Sequence, residues 1–573
     1  MARPNEEIAG LIQEYADLLS VTGGDAFKAR AYEKAARALG GHHADVSRLD
    51  VRQLREIPGV GASIAEKVAE YFRTGHIPAL DERRTRIPSG VRELIRIPTL
   101  GPKKAMALHE DLGIASVDQL SAALDAGRLH GLKGFGPKTE ENLRHGITLL
   151  RQAGGRIPLD QALQTAEDVV AALSAVPGCV RCAYAGSLRR MRETIGDVDV
   201  LVAAEDSAPF MTAFTELPCA AEVIAHGGTK SSLRTAEGVQ VDLRVLPPAA
   251  WGAGLQYFTG SKAHNIGLRT IAVRHGLKLS EYGLFDADSG ELVVSETEEE
   301  VYARLGLPWI PPPMREDRGE IAAALAGELP DPVTEADLRG DLHTHTDLTD
   351  GLAPLEDMVT AAAARGYAYY AVTDHAPDLY MQQMTAEKAL AQRERVRALD
   401  RRHRGMRVLH GTELNIGPDG EVDWPDDFLA GFDLCVASIH SHFQLDRAAQ
   451  TRRLIRAAEN PHVDIIGHPT TRHLGRRPGI DADLEAVYAA CARTGTALEV
   501  NGQPERLDLC DEDIRAARGH GVRFAVDSDA HTPVHLPYVR YAVGTAQRGW
   551  LTADEVVNTW PLRKLKSFLR TAG

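Results

Sequence analysis

The sequence predicts a multidomain chain of mixed α/β and α+β class, on three observations. At 573 residues it is too long for one hydrophobic core, and ordinary domain sizes suggest about four units. Residues 1–150 carry helical patterning with no convincing alternating strand. Beyond a proline-rich stretch that starts at Pro308, strand-like and helix-like segments alternate, which favours a parallel α/β barrel or sheet.

In the helical third a glycine-containing turn recurs. Ile57-Pro58-Gly59-Val60-Gly61 leads into Ile64 and Ala65, Ile97-Pro98-Thr99-Leu100-Gly101 into Lys103 and Lys104, and Leu132-Lys133-Gly134-Phe135-Gly136 into Lys138. Each turn starts a helix whose free N–H groups face outward, and such an end binds phosphate without reading sequence. Gly59, Gly61, Gly101, Gly134 and Gly136 are therefore candidate phosphate-contacting positions. These turns resemble helix-hairpin-helix motifs. The second copy has Thr99 where the others have glycine, which weakens that turn or shifts its role.

The middle of the chain carries three acids on strand-like segments. Asp197 and Asp199 point from one face about 7 Å apart along residues 197–202. Residues 239–246 also read as a strand, and as a neighbour it would bring Asp242 to the same end of the sheet. Three carboxylates so placed can hold two divalent ions, lower the pKa of an attacking hydroxyl and stabilise a leaving pyrophosphate, so they look like a nucleotidyl-transfer site. Gly186-Ser187-Leu188-Arg189-Arg190, just before the acids, offers N–H groups, a hydroxyl and guanidinium for triphosphate oxygens. Downstream, Tyr257-Phe258-Thr259-Gly260-Ser261 with Asn265 and Arg269 suits the sugar and base of a nucleotide.

This constellation resembles the family X DNA polymerases, the group that includes polymerase beta. The resemblance implies that Asp197, Asp199 and Asp242 bind two Mg2+ or Mn2+ ions, with Asp242 helping to deprotonate a primer 3'-hydroxyl. It implies that Ser187, Arg190 and Gly196, beside Gly186, hold the triphosphate. Tyr257, Phe258 and Gly260 would pack on the sugar, Asn265 would touch the base edge and Arg269 the template. Gln240 departs from the pattern, because polymerase beta has an arginine there. Residues 62–67 are in register with the segment of polymerase beta that carries its Schiff-base lysine, and residues 27–34 resemble its phosphate-binding part. Lys67 is either that nucleophile or, with Lys28, an anchor for a 5'-phosphate.

After a linker expected over residues 319–338, acids and histidines recur where the C-terminal strands end. They are His343, His345 and Asp350; His375; Glu413; His440; His468; and Asp529 with His531. In a barrel such strand ends converge on one mouth, and imidazoles with carboxylates suit zinc, manganese or iron. The region resembles the polymerase and histidinol phosphatase (PHP) domain, a distorted seven-stranded (β/α) barrel with up to three Zn2+ or Mn2+ ions. By that resemblance one ion takes His343, His345, Glu413 and Asp529. A second shares Glu413 and adds Asp350 and His440, and a third takes His375, His468 and His531. His442, His473 and His535 fall outside the pattern and are expected in solvated loops.

Composition narrows the setting. A net charge of −15 excludes a uniformly basic nucleic-acid binder. It does not exclude a metalloenzyme, since filled palm and barrel sites would return about ten positive charges. Six cysteines in this length make no disulfide framework. No apolar run reaches membrane-spanning length and the N-terminus lacks a signal-peptide core, so a cytoplasmic location is expected.

Together the two resemblances span nearly the whole chain. They imply a helical DNA-end domain (1–82), a second helical DNA-binding domain (83–152), a palm (153–250), a thumb (251–318) and the PHP barrel (339–573). The expected function is filling short gaps in DNA during repair, by base excision or end joining, with 3'-to-5' exonuclease and abasic-site cleavage in the barrel. Gapped DNA and dNTPs are the expected partners, without a membrane, and the chain is expected to be a monomer. Three rivals are a small-molecule phosphomonoesterase, a nucleotidyltransferase acting on tRNA or a drug, and a DNA-end scaffold. The helical turns oppose the first, the residues 257–261 the second, and the retained ligands the third.

Overall fold

The computed structural model describes residues 4–21, 26–42, 44–86, 88–95, 97, 100–132, 134–152, 156–379 and 384–569. Helices Pro4–Val21 and Ala26–Gly40 pair through Ile8, Ile12, Tyr15, Leu19, Tyr32 and Leu39, and one apolar cluster continues from there to Ile147. Among the described residues up to 152 no strand forms. Gly61 and Gly101 stand at the N-caps of helices Ala62–Thr74 and Pro102–Leu112, with no side chain capping the first-turn N–H groups. Gly59 and Gly134 both take φ 91°, a left-handed conformation that suits glycine. Thr99, their counterpart in the middle copy, lies outside the described residues.

A five-stranded sheet follows, in the order Arg181–Tyr184, Asp197–Ala203, Gln240–Leu246, Lys230–Thr235, Ala220–His226. Its second and third strands are parallel and the other pairings antiparallel. Strand alternation sends Val198, Val200, Val202, Val241, Leu243 and Val245 into a core with helices Leu159–Ser174 and Ala208–Thr215. Asp197, Asp199 and Asp242 consequently share the opposite face. Helices Trp251–Thr259 and Lys262–Arg274 then lead into a three-stranded antiparallel sheet over residues 277–294.

The segment expected as a semi-rigid linker is packed. Helix Glu320–Ala326 lies against the preceding region, with Glu320 fully buried and hydrogen-bonded to His264 Nδ1 at 2.6 Å. Val333 and Leu338 join the core of the C-terminal domain. Prolines there fix the path of a chain that apolar side chains then seat.

Seven parallel strands form the C-terminal sheet, from Gly340–Asp341 through Tyr369–Val372, Arg407–Asn415, Leu434–Ser438, Ile465–Ile466 and Ala497–Asn501 to Phe524–Asp527. A parallel bridge between Thr344 and Ala530 brings the last strand beside the first, so the barrel nearly closes. It docks on the five-stranded domain, whose apolar core takes in Leu507 and Tyr541. Ion pairs Arg472–Glu193 (2.7 Å) and Arg540–Glu167 (2.5 Å) flank that contact. Among the described residues no helix is long and apolar enough to cross a membrane, and no disulfide forms.

Candidate functional site

Two sites emerge. In the five-stranded sheet Asp199 and Asp242 are register partners on parallel neighbours, with Asp197 two residues before Asp199 on the same face. The short helix Gly186–Arg189 abuts them so closely that a Cβ on Gly186 would lie 2.1 Å from Asp199 Oδ2, and Gly186 has φ 64°. Ser187 lies in the same turn. Burial first, then Asp197 and Asp242, raises the Asp199 pKa to about 7. The side chains around the triad thus leave its negative charge under-compensated, and the all-oxygen donor set fits hard divalent cations. Gln240 donates through Nε2 to Asp242 at 3.2–3.3 Å, a neutral donor at the position expected to differ. Gly196 sits immediately before the Asp197 strand, where a Cβ would lie 3.3 Å from an Arg156 amine.

The expected nucleotide side is assembled, with two of its polar groups already engaged. Arg190 donates through Nε to Glu316 at 3.0 Å and through Nη1 to the Thr259 carbonyl at 2.5 Å. Asn265 is buried, donating to the Tyr257 carbonyl at 2.8 Å and accepting from Gln256 at 2.7 Å, so its amide braces the helix that carries Tyr257. Tyr257 and Phe258 meet edge-on at 5.2 Å, with Arg269 over Tyr257 and Arg244 over Phe258. Gly260 ends their helix at φ 71°, beside Arg190.

In the helical region Lys67 is half-buried, donating to Ser63 Oγ at 3.0 Å and standing 5.8 Å from the Tyr15 and Tyr32 rings. Lys28 is exposed on the neighbouring helix.

All nine strand-end residues meet at the barrel mouth, around the buried Glu413 carboxylate. Its Oε1 lies 3.1 Å from His440 Nε2 and 3.0 Å from His468 Nε2, and its Oε2 lies 2.9 Å from His375 Nδ1 and 3.4 Å from Nε2 of both His343 and His345. Three groups hold their donor atoms within 4.8 Å of one another: His343, His345 and Asp529; His375, Glu413 and His440; and His345, Asp350, His375 and His531. The first falls within an expected ligand set, and the other two combine the residues differently from the expected sets. Asp350 sits 3.2 Å from His375 and 3.3 Å from His531 instead of joining Glu413 and His440. His468 stands with Glu413 and His440. The strand order sets which ligands are neighbours, and the sequence spacing does not carry that information.

Metal ions fit this cluster. His343 Nε2, both His345 nitrogens and Asp529 Oδ1 are buried without a hydrogen-bond partner among the described residues, a cost of a few kcal/mol that coordination would remove. Burial would lower the Glu413 carboxyl's stability as an anion, yet His375, His440 and His343 hold its pKa well below the usual carboxylate range.

Supporting residues escaped the sequence reading. Glu499 binds His343 Nδ1 at 2.6 Å and Asn415 binds His440 Nδ1 at 2.7 Å, which turns the opposite nitrogens of those two rings inward, and Glu499 also accepts from the His468 backbone N–H at 2.5 Å. Asn501 donates to Asp529 Oδ2 at 3.0 Å. Their signal was a polar residue alternating with apolar ones in a buried strand. His442 is exposed, as expected. His473 is only partly exposed and lies 3.5 Å from Glu505. His535 is only partly exposed: it stacks on Tyr538 at 4.6 Å, and burial first, then His531, pushes its pKa down to about 3.

Family models match a helix-hairpin-helix domain at residues 3–77, a SAM-like helix-hairpin-helix tandem at 91–147, the DNA polymerase beta palm at 156–234, the DNA polymerase beta thumb at 254–316 and the PHP domain at 341–502. The chain is 34% identical over 568 residues to the DNA polymerase/3'-5' exonuclease PolX of Bacillus subtilis (strain 168), covering 99% of each. It is 30% identical over 329 residues to DNA polymerase lambda of Rattus norvegicus, which is 51% of this chain and 53% of that one. A probable phosphatase of Shewanella sediminis is 30% identical over 243 residues, 41% of this chain and 94% of its own length. With its three-acid sheet, its metal-fitting barrel and an end-to-end relative, the chain belongs to the family X DNA polymerases that carry a C-terminal PHP domain.

Proposed function

We propose that the chain is a DNA-directed DNA polymerase that fills short gaps during repair, in base excision or end joining. Its barrel is a metal-dependent 3'-to-5' exonuclease that also cleaves at abasic sites. The observation that carries the first part is the register pairing of Asp199 with Asp242, beside Asp197 and under the Gly186 turn. Asp197, Asp199 and Asp242 hold Mg2+ or Mn2+, and those ions when bound acidify a 3'-hydroxyl and balance pyrophosphate charge. Asp242 takes the hydroxyl proton; Ser187, the N–H groups around Gly186 and Gly196, and Arg190 receive the triphosphate. Tyr257, Phe258 and Gly260 shape the sugar pocket, with Asn265 and Arg269 positioning base and template.

In the barrel, His343, His345, Asp350, His375, Glu413, His440, His468, Asp529 and His531 hold up to three Zn2+ or Mn2+ ions. Glu499 and Asn415 orient the rings. Gly59, Gly61, Gly101, Gly134 and Gly136 place backbone N–H groups on DNA phosphates, with Lys28 on a 5'-phosphate and Lys67 as its anchor or a Schiff-base nucleophile. The partners are gapped or primer-template DNA and dNTPs, and the protein is a cytoplasmic monomer. The phosphatase relatives favour a phosphomonoesterase reading of the barrel alone, which the fused phosphate-binding turns oppose.

The test uses a one-nucleotide-gapped duplex labelled at the primer 5'-end, with manganese, with and without dNTP. Asp197→Ala is expected to shorten the primer without extending it, and His375→Ala to extend without shortening. A wild type that does neither under varied metals would remove both activities from the proposal.

A further inference from the structure

The barrel reaches into the nucleotide side of the polymerase site. Helix Val539–Arg548 ends in Arg548, which is 4% exposed and donates through Nη1 to Glu316 Oε1 at 2.7 Å and to the Arg190 carbonyl at 2.9 Å. The same Glu316 oxygen accepts from Arg190 Nε at 3.0 Å. One carboxylate oxygen is thus shared by a guanidinium of the palm and one of the barrel. Asp511 anchors the far side of Arg548 at 2.5 Å and also accepts from Arg318 at 2.9 Å. Held at both ends, Arg548 has little freedom, and a fork of this kind fixes direction as well as charge.

A second contact of the same helix acts on the same loop. Met191, which follows Arg190, has φ 54°, and its side chain fills the space over Gly544, where an added Cβ would lie 2.5 Å from its terminal methyl. Backbone and side chain of the Gly-Ser turn's last arginine are both set from the barrel.

We propose that Arg548 is a positioning residue for nucleotide binding: through Glu316 and the Arg190 carbonyl, the barrel holds the Arg190 guanidinium against the Thr259 carbonyl. This rests on the polymerase reading. Arg190 with a free rotor must be ordered by each incoming triphosphate, whereas a held one spares that entropy.

Steady-state one-nucleotide gap filling by the full chain tests this, comparing wild type, Arg548→Ala, Arg548→Lys, Glu316→Gln and the Arg548→Ala/Glu316→Gln pair. Loss of a buried charge-assisted bond predicts that Arg548→Ala raises KM for dNTP about tenfold while the Kd for gapped DNA stays within about twofold. Arg548→Lys should recover part of the loss, and Arg548→Ala should add nothing in the Glu316→Gln background. An unchanged KM for dNTP, additive effects in the pair, or equal losses in nucleotide and DNA binding would overturn the inference. A wild type that fills no gap would overturn the polymerase reading and this with it. Should Arg548→Ala not fold, Arg548→Met, which keeps the apolar stem without the guanidinium, carries the same comparison, and a wild-type KM there is the overturning result.

Discussion

Asp199 Oδ2 occupies the space where any side chain at residue 186 would begin, 2.1 Å from where a Cβ would stand. Gly186→Ala must therefore either displace the central carboxylate or unwind the turn, and it also forces alanine to φ 64°, at a cost of about 1 kcal/mol. We expect gap filling to fall at least about a hundredfold, as for a misplaced reacting group, with manganese-dependent primer shortening retained; parallel loss of both would point to misfolding instead. Residues such as Asp199 were legible because strand alternation puts i and i+2 on one face. Glu499 and Asn415 were not, because their roles depend on which ring nitrogen they face across the barrel. The grouping of Asp350 with His375 and His531 was hidden for the same reason: nothing in the linear order says which strand ends become neighbours.

Between elements, Glu298 ties the Gly-Ser turn to the thumb. At the first turn of helix Glu298–Arg304, it receives Arg189 through both oxygens at 2.9 and 2.8 Å and Arg315 at 2.7 Å, while Trp309 Nε1 donates at 3.2 Å. Burial alone would raise its pKa, but Arg315 and Arg189 bring it down to about 2. A depressed folded-state pKa means that the stabilisation is present above about pH 4.5 and is lost as pH falls towards 2, worth about 3 kcal/mol when complete. Wild type should lose stability across that window relative to Glu298→Gln, measured by thermal unfolding from pH 3 to 7. Matching slopes would mean that Glu298 does not titrate as a paired group. The strands and the glycine turns were readable as elements from their periodicity and punctuation. The packed state of residues 319–338 was not, since prolines mark a fixed path equally well in a spacer and in a seated segment.

At the scale of the whole molecule, the barrel is built into the palm, not appended to it. Leu507 and Tyr541 belong to the same apolar cluster as Leu163, Leu188 and Val198, and Glu167, Glu193 and Glu316 each pair with a barrel arginine. Fold class and domain order were visible in the chain because each region has its own period and its own ligands. This joint was not visible, because nothing in the linear sequence links Glu193 to Arg472. A chain ending at residue 338 would uncover that apolar face and leave Glu316 without Arg548. Exposing several core side chains costs on the order of a few kcal/mol, so the truncated protein should melt below the palm transition of the full chain. Its KM for dNTP should rise as in Arg548→Ala, and supplying residues 339–573 as a separate chain should restore both quantities if the joint forms in trans. A truncated chain with wild-type melting and wild-type KM would show that palm and barrel are energetically independent, and that the shared core contributes contact without coupling.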